Sequence, residues 1–514
     1  MQRQSKASSQ RQPTREDLLD QADVVLSQRG TGDTFANLLQ RRVSRRGVLK
    51  AGVAAGALIV VNPLTGKLNV GTALASHAEI IGGSIRYAPI PPQPDDTQQV
   101  MVADGYSWAP FAKWGDPIRR GAPAYDPSNL SAWAQEQQVG YNCDYIGYHP
   151  LPFYDKQSRR GLLWINHEYT NGELMWADYE SQNPTREQAD VELAAHGGSI
   201  IEVIRGEDGR LAIDMLSPYK RRITATTMMR VSGPAAEHDW LKTQDDLTGA
   251  WVIGTLNNCA GGITPWGTVL TCEENFQGYF GNLDLMDPED PRVDVHARYG
   301  IEGGTSGYGW EQHYGRFAVT NEPNEPFRFG WVVEINPYDP DSTPIKRTAL
   351  GRFRHEGATF GYSPSGRVVF YSGDDQRFEY IYKYVSDNAY DPFLSGLGQG
   401  LLDEGVLYVA RLNDDGSGEW LPLVYGQNGL DESNGFTSQG DVLVKTRLAA
   451  DLLGATKMDR PEDVQQNPVN HKIYAAMTNN SQRTEDQVDA ANPRAENRTG
   501  QVIEIEESGG DAAA

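Results

Sequence analysis

From about residue 130 onward, the chain alternates apolar and polar positions in short runs, the period of strands with one buried face. Leu162–Ile165, Ile200–Ile204, Trp331–Ile335, Val368–Tyr371, Tyr380–Val385, Val406–Val409 and Val502–Ile505 show it most clearly. These runs predict β-strands. Helical spacing is scarce: Pro184–His196 is one short candidate and Thr446–Leu453 another. Residues 76–130 are rich in Pro, Gly and Asp and have no strong period. The pattern predicts an all-β protein.

Several of these runs end in a cluster of Asn, Asp or Glu: Asn166-His167-Glu168, Glu273-Glu274-Asn275, Asn321-Glu322, Asp374-Asp375 and Asn479-Asn480. Their separations are 107, 48, 53 and 105 residues. A unit of about 50 residues accounts for all four, which is the repeat length of a β-propeller blade. In a propeller, equivalent strand ends gather around one axis. Such a fold would bring carboxylates that are distant in sequence to a single pocket.

Composition supports a large folded core. The 514 residues are 39% hydrophobic and 10% aromatic, which excludes global disorder. Gly 54 and Pro 29 exceed average usage and fit many turns between short strands. Asp and Glu number 69 against 46 Lys and Arg, giving a net charge of −23. That field repels nucleic acid and anionic lipid, while carboxylates suit hard cations. The three cysteines, Cys143, Cys259 and Cys272, are too few for a disulfide framework.

The N-terminus reads as an address. Ser44-Arg45-Arg46-Gly47-Val48-Leu49-Lys50 precedes the apolar run Ala51–Val61, and Ala73-Leu74-Ala75 offers small residues for a signal peptidase. This is the layout of a twin-arginine export signal over residues 1–75, with the mature part at 76–514. The apolar run is too short for a stable membrane anchor. A basic tail before a short helix is the plainer alternative.

Chemistry concentrates in four segments. In Gly254–Phe280, Cys259 sits among Asn258, Ala260, Gly261 and Gly262, and the strand Thr268–Cys272 delivers Glu273 and Glu274. Alternation sends neighbours to opposite faces, so a strand could place one glutamate in a pocket, whereas a loop could place both. A thiolate with carboxylates suits a transition metal better than calcium alone. In Gly351–Phe360, Arg352, Arg354, His355 and Glu356 crowd together; surface charge beside a strand is the plain reading. Asp374-Asp375 ends a strand and could simply make a turn. Asp459, Arg460, Glu462 and Asp463 crowd a Pro-containing segment that could be a solvated helix start. No C-x-x-C, H-E-x-x-H or convincing G-x-S-x-G pattern is present.

Together, NNCAGGITPWGTVLTCEEN, KRTALGRFRHEGATF, GDDQRFEYIYKYVS, RPEDVQQNP and NPRAENRTGQVIEIE, in this order, resemble the PhoX-type alkaline phosphatases. The resemblance covers the signal and nearly all of the mature chain. It implies a secreted, monomeric, calcium-dependent phosphomonoesterase built as a six-bladed β-propeller, with Fe3+ and Ca2+ ions clustered over its axis. It implies that Cys259, one or both of Glu273 and Glu274, and Glu356 act on iron. It places Glu168, Asp374, Asp375, Glu462 and Asp463 on calcium or along the cluster, and Arg460 and Asn479 on the substrate phosphate. Cys259, Glu273, Glu356 and Arg460 are the residues it implies for the reaction itself.

The chemistry is consistent with that expectation. Phosphoryl transfer spreads charge over the phosphate oxygens, and several close cations can neutralise it without a covalent serine. In the family, a further strand-rich stretch follows the region resembling Gln501–Glu507, so a C-terminally incomplete propeller with an exposed edge is expected here. Two other classes fit the acidic strand ends: a calcium-dependent propeller lactonase or esterase, and a non-catalytic extracellular propeller with structural calcium.

Overall fold

The computed structural model describes residues 90–513, apart from 95–96, 152–158, 394–397 and 399. The export signal expected over residues 1–75 lies outside the described residues. Residues 112–513 belong to one compact unit, and every element named below is part of it. Residues 90–111 belong to a second unit, and the described residues among them contain no helix or strand.

Nineteen strands among the described residues form four sheets. The first sheet runs β1 (Cys143–Pro150), β2 (Arg160–His167), β3 (Gly197–Arg205) and β4 (Leu211–Ile213), with β5 (Arg221–Ile223) also on β3. In the second, the order is β7 (Trp251–Ile253), β6 (Met228–Ser232), β11 (Ile345–Arg347), β10 (Val332–Ile335), β9 (Val269–Glu273) and β8 (Asn258–Ile263). Its β11–β6 pair is parallel, and its other pairs are antiparallel. The third is a meander of β12 (Thr359–Gly361), β13 (Arg367–Gly373), β14 (Ile381–Ala389), β15 (Gly405–Leu412) and β16 (Gly418–Pro422). The fourth holds β17 (Pro461–Gln466), β18 (Ile473–Met477) and β19 (Gln501–Ile505).

All seven apolar runs named from the sequence fall on strands: β2, β3, β10, β13, β14, β15 and β19. The central ones are buried on both faces, as in β2, where Gly161 to His167 are all buried. Both helical candidates form. The first spans Arg186–Ala195 and starts in a capping box, with Thr185 accepting from the Gln188 N–H while the Gln188 side chain accepts from the Thr185 N–H. The second spans Thr446–Leu453 and ends at Gly454, whose φ of +68° supplies the left-handed stop.

The repeat differs from the expected one. Asn166, Glu273, Asp374 and Asn479 stand at or just past the ends of β2, β9, β13 and β18, whereas Asn321-Glu322 lies in a turn region that ends no strand. Without that point, the spacings are 107, 101 and 105 residues. The recurring unit is therefore a whole sheet and its connections.

Neighbouring sheets meet edge to edge near these strand ends. β1 and β2 contact β8, β8 contacts β12, and β12 and β13 contact β17. Two glycines permit the closest approaches. A Cβ at Gly262 would run into the Ala358 carbonyl, and one at Gly373 would run into the Pro461 and Glu462 carbonyls. Three hydrophobic cores lie behind this surface, one around Trp164, Trp310 and Trp331, one around Phe353, Tyr382 and Leu407, and one around Tyr371, Ile381 and Ile473.

Candidate metal centre

Five side chains from three sheets converge around one sulfur. Asp144 comes from β1, Glu168 follows β2, Cys259 lies on β8, Glu274 follows β9, and Glu356 precedes β12. Ligand atoms of Asp144, Glu168 and Cys259 all lie within 4.8 Å of one another, and so do those of Cys259, Glu274 and Glu356. Cys259 Sγ belongs to both groups and sits 3.7 Å from Asp144 Oδ2. Glu274 is buried, Glu168 and Glu356 are half-buried, and Asp144 lies at the exposed rim.

The electrostatics follow from this crowding. Burial, and then the neighbouring carboxylates, push the Cys259 thiol far above its ordinary range. Glu274 is also driven well up, first by burial and then by Glu356 and Asp375, and Glu356 by burial and then by Asp375 and Glu462. Burial and the Asp144 carboxylate raise Glu168 to about 7. Asp144 itself rises through burial. A buried carboxyl elsewhere gives a useful contrast. Glu192 is also raised to about 7, but it accepts from Thr170 Oγ1, Tyr179 OH and Trp310 Nε1. Glu356 Oε2, by contrast, is buried with no hydrogen-bond partner.

Asp375, just past β13, lies beside this group and forms a two-pronged pair with Arg460, at 2.9 Å from Nε and 2.8 Å from Nη2. Arg460 also approaches Glu462, on β17, at 3.7 Å. Its φ of +58° is unusual for a residue other than glycine, so the chain accepts local strain to place it. Asn479, just past β18, accepts from Arg377 Nη2 at 3.1 Å. Asp375, Arg460 and Glu462 thus form a second, mixed-charge group beside the acid–thiol cluster.

Two expected ligands, Glu273 and Asp374, are paired with buried cations, and Asp463 lies at the surface. Glu273 is completely buried and accepts from Lys346 Nζ at 2.7 Å and from the Gly330 and Trp331 N–H groups at 3.1 Å each. Strand alternation at the end of β9 turns it away from Glu274. Asp374 is held by Arg447, with Nε at 2.8 Å and Nη2 at 2.5 Å, deep in the protein. Asp463 is exposed and accepts from Gln465 Nε2 at 2.9 and 3.0 Å. Arg352 and Arg354 are not surface charges: both are buried, and Arg352 donates to the Phe329 and Pro326 carbonyls. The Pro461–Gln466 segment is a strand instead of a helix start. All three cysteines are free, so Cys143 and Cys272 are not paired.

Sequence reasoning missed Asp144. It stands alone in Cys143–Pro150, outside every acidic pair, and only the β1–β2 hairpin brings it to Glu168. Its one signal was an isolated acid on the strand paired with the one that ends in Asn-His-Glu.

These features define a sheet-rich protein whose strand ends build an acid–thiol pocket flanked by arginine. The sequence model of the alkaline phosphatase PhoX family matches residues 85–514. A solved structure, Pseudomonas fluorescens PhoX in complex with vanadate, a transition state analogue, is similar at 41% identity with a TM-score of 0.76. The similarity covers 80% of this chain and 72% of that one. No curated protein matches the chain. The chain belongs to the PhoX alkaline phosphatase family and is a phosphomonoesterase.

Proposed function

We propose that the acid–thiol cluster is where this phosphatase releases phosphate from small phosphomonoesters, and that it holds Fe3+ and Ca2+. The observation that carries this reading is the convergence of Asp144, Glu168, Cys259, Glu274 and Glu356, with Glu356 Oε2 buried and lacking a protein donor. The donor set fits both cations: a thiolate and carboxylates suit iron, while carboxylates alone suit calcium. Cys259, Glu274 and Glu356 would hold the iron, and Glu168, Asp144 and the Asp375–Glu462 side would serve calcium. When bound, such ions supply positive charge against the charge that builds on the transferring phosphoryl oxygens.

The protein's own groups set the geometry of that reaction. Asp375 fixes the Arg460 guanidinium at the edge of the cluster, where its planar fork suits two phosphate oxygens. Asn479, held by Arg377, is proposed as a second contact to the substrate. The Pseudomonas fluorescens protein was solved in complex with vanadate, a transition state analogue, which supports phosphate recognition by this chain as well.

The wider arrangement follows the same reading. Sites drawn from the edge strand of each sheet and its neighbour, β1/β2, β8/β9, β12/β13 and β17/β18, support a propeller with the cluster over its axis. Arg45-Arg46 and the apolar run after them support export of a folded monomer by the twin-arginine machinery to the periplasm or beyond. Among the described residues, no helix is long and apolar enough to cross a membrane.

Elemental analysis of the purified chain, together with hydrolysis of a chromogenic phosphomonoester before and after chelation, tests the proposal. Bound iron and calcium, turnover lost on chelation, and iron lost in Cys259→Ala are expected. Full turnover in protein stripped of both metals would overturn it.

A further inference from the structure

The β8–β9 ladder carries a bulge at the cysteine. Asn258 pairs with Glu273 and Gly261 with Thr271, so three steps on β8 oppose two on β9. Cys259 and Ala260 fall in that interval and have no register partner on β9. Such an extra residue bends a strand and re-aims its side chains. A bulge can relax unless something holds its freed backbone.

Asn166, from another sheet, supplies that hold. It is completely buried on β2. Its Nδ2 donates to the Cys259 carbonyl, and also to the Ala260 carbonyl at 3.1 Å. Its Oδ1 accepts from Trp164 Nε1 at 2.5 Å and from Thr271 Oγ1 at 2.8 Å. An amide has two donor hydrogens and two acceptor sites, so all four capacities are used. Thr271 Oγ1 in turn accepts from Asn258 Nδ2 at 3.0 Å, and Asn258 also bonds Thr255. The network therefore grips the bulge on both sides of Cys259.

We propose that Asn166 is a positioning residue: it locks the β8 bulge and so aims Cys259 Sγ at the carboxylates of Asp144, Glu168, Glu274 and Glu356. It touches neither the metal nor the substrate in this role and acts through the backbone of the ligand. The inference rests on the reading of Cys259 as a metal ligand. It follows from the shape of the side chain. An aspartate of the same size would set a carboxylate against two carbonyl oxygens and lose both donors, whereas leucine would lose all four bonds.

The test is a titration of metal-free, full-length protein with Co2+, following the thiolate-to-cobalt charge-transfer absorption and the affinity, alongside far-UV circular dichroism. Wild type should show the band and Cys259→Ala should lack it. Asn166→Asp should keep its circular dichroism spectrum and a cooperative melt, lose most of the band, and bind Co2+ roughly tenfold to a hundredfold more weakly, the range seen for groups that orient metal ligands. An undiminished band and wild-type affinity in Asn166→Asp would overturn the proposal. If Asn166→Asp does not fold, Thr271→Val and Thr271→Ser decide. Serine keeps the hydroxyl and should retain the band, valine should weaken it, and equal bands would overturn the proposal. A wild type without any thiolate band would instead sink the assignment of Cys259 itself, a result separate from either variant.

Discussion

Glu273 and Glu274 are neighbours in the chain, yet their carboxylates serve different structures. Glu273 ends on Lys346 Nζ at 2.7 Å inside a sealed core, while Glu274 ends within 4.8 Å of Cys259 Sγ. The two should therefore fail differently. Glu273→Gln leaves a buried ammonium without its counter-ion and should cost about 3–5 kcal/mol of stability. Glu274→Gln should spare the fold and lower iron affinity by more than ~100-fold, beyond the effect of losing an outer partner. Denaturant midpoints and metal analysis on the two variants check this.

Asp374 and Asp375 repeat the contrast one sheet further on. Asp374→Asn disrupts the buried pair with Arg447 and should lower stability by about 3 kcal/mol while metal content stays at the wild-type level. Asp375→Asn should release Arg460 and weaken calcium binding, with a smaller change in melting temperature. Calorimetry beside elemental analysis separates the two outcomes.

The Glu168 carboxyl sets a pH dependence for the metal-free protein. Its folded pKa, about 7, lies above the ordinary carboxylate value of 4.5. Its contribution to stability is therefore fully present below about pH 4.5 and is lost as pH rises through about 7. Buried histidines such as His196, lowered to about 4, act in the opposite direction, so the wild-type curve mixes both. The difference between wild type and Glu168→Gln isolates the carboxyl. In chelator, the variant should gain stability relative to wild type as pH rises from 4.5 to 8. Calcium affinity of the wild type should rise across the same interval, because the ion must displace that proton. A flat difference curve would contradict this.

Orthovanadate should inhibit hydrolysis competitively, since a transition state analogue occupies the related Pseudomonas fluorescens protein. Arg460→Ala should weaken vanadate inhibition about tenfold to a hundredfold, the range for losing a charge-assisted hydrogen bond. Iron content should remain unchanged in that variant. Inhibition curves at several substrate concentrations, read beside metal analysis, test both parts.

Much of the fold was legible because it rests on local rules. The strands announced themselves by alternation, and the Thr446–Leu453 helix by its spacing. Cys259, Glu274, Glu356 and Glu168 were all named as site residues from the sequence, and the structure brings them together. Asp144 was not, because one acid on a strand carries no local mark of what lies across the hairpin. The resemblance implied ligand roles for Glu273 and Asp374 as well, each beside a second acid. Their partners, Lys346 and Arg447, are each 73 residues away, beyond any local pattern.

Alternation and composition by themselves determined that this chain builds sheets and that acids cluster where strands end, and the family resemblance implied that Cys259 sits among them. Those properties depend on neighbours within a few residues. Which acid of each pair turns to a buried Lys or Arg depended on strand parity and on where that cation waited, and the β8 bulge at Cys259 meets Asn166 from another sheet. Only the folded chain decided those choices, because each one balances a buried charge against a partner supplied by a distant part of the chain.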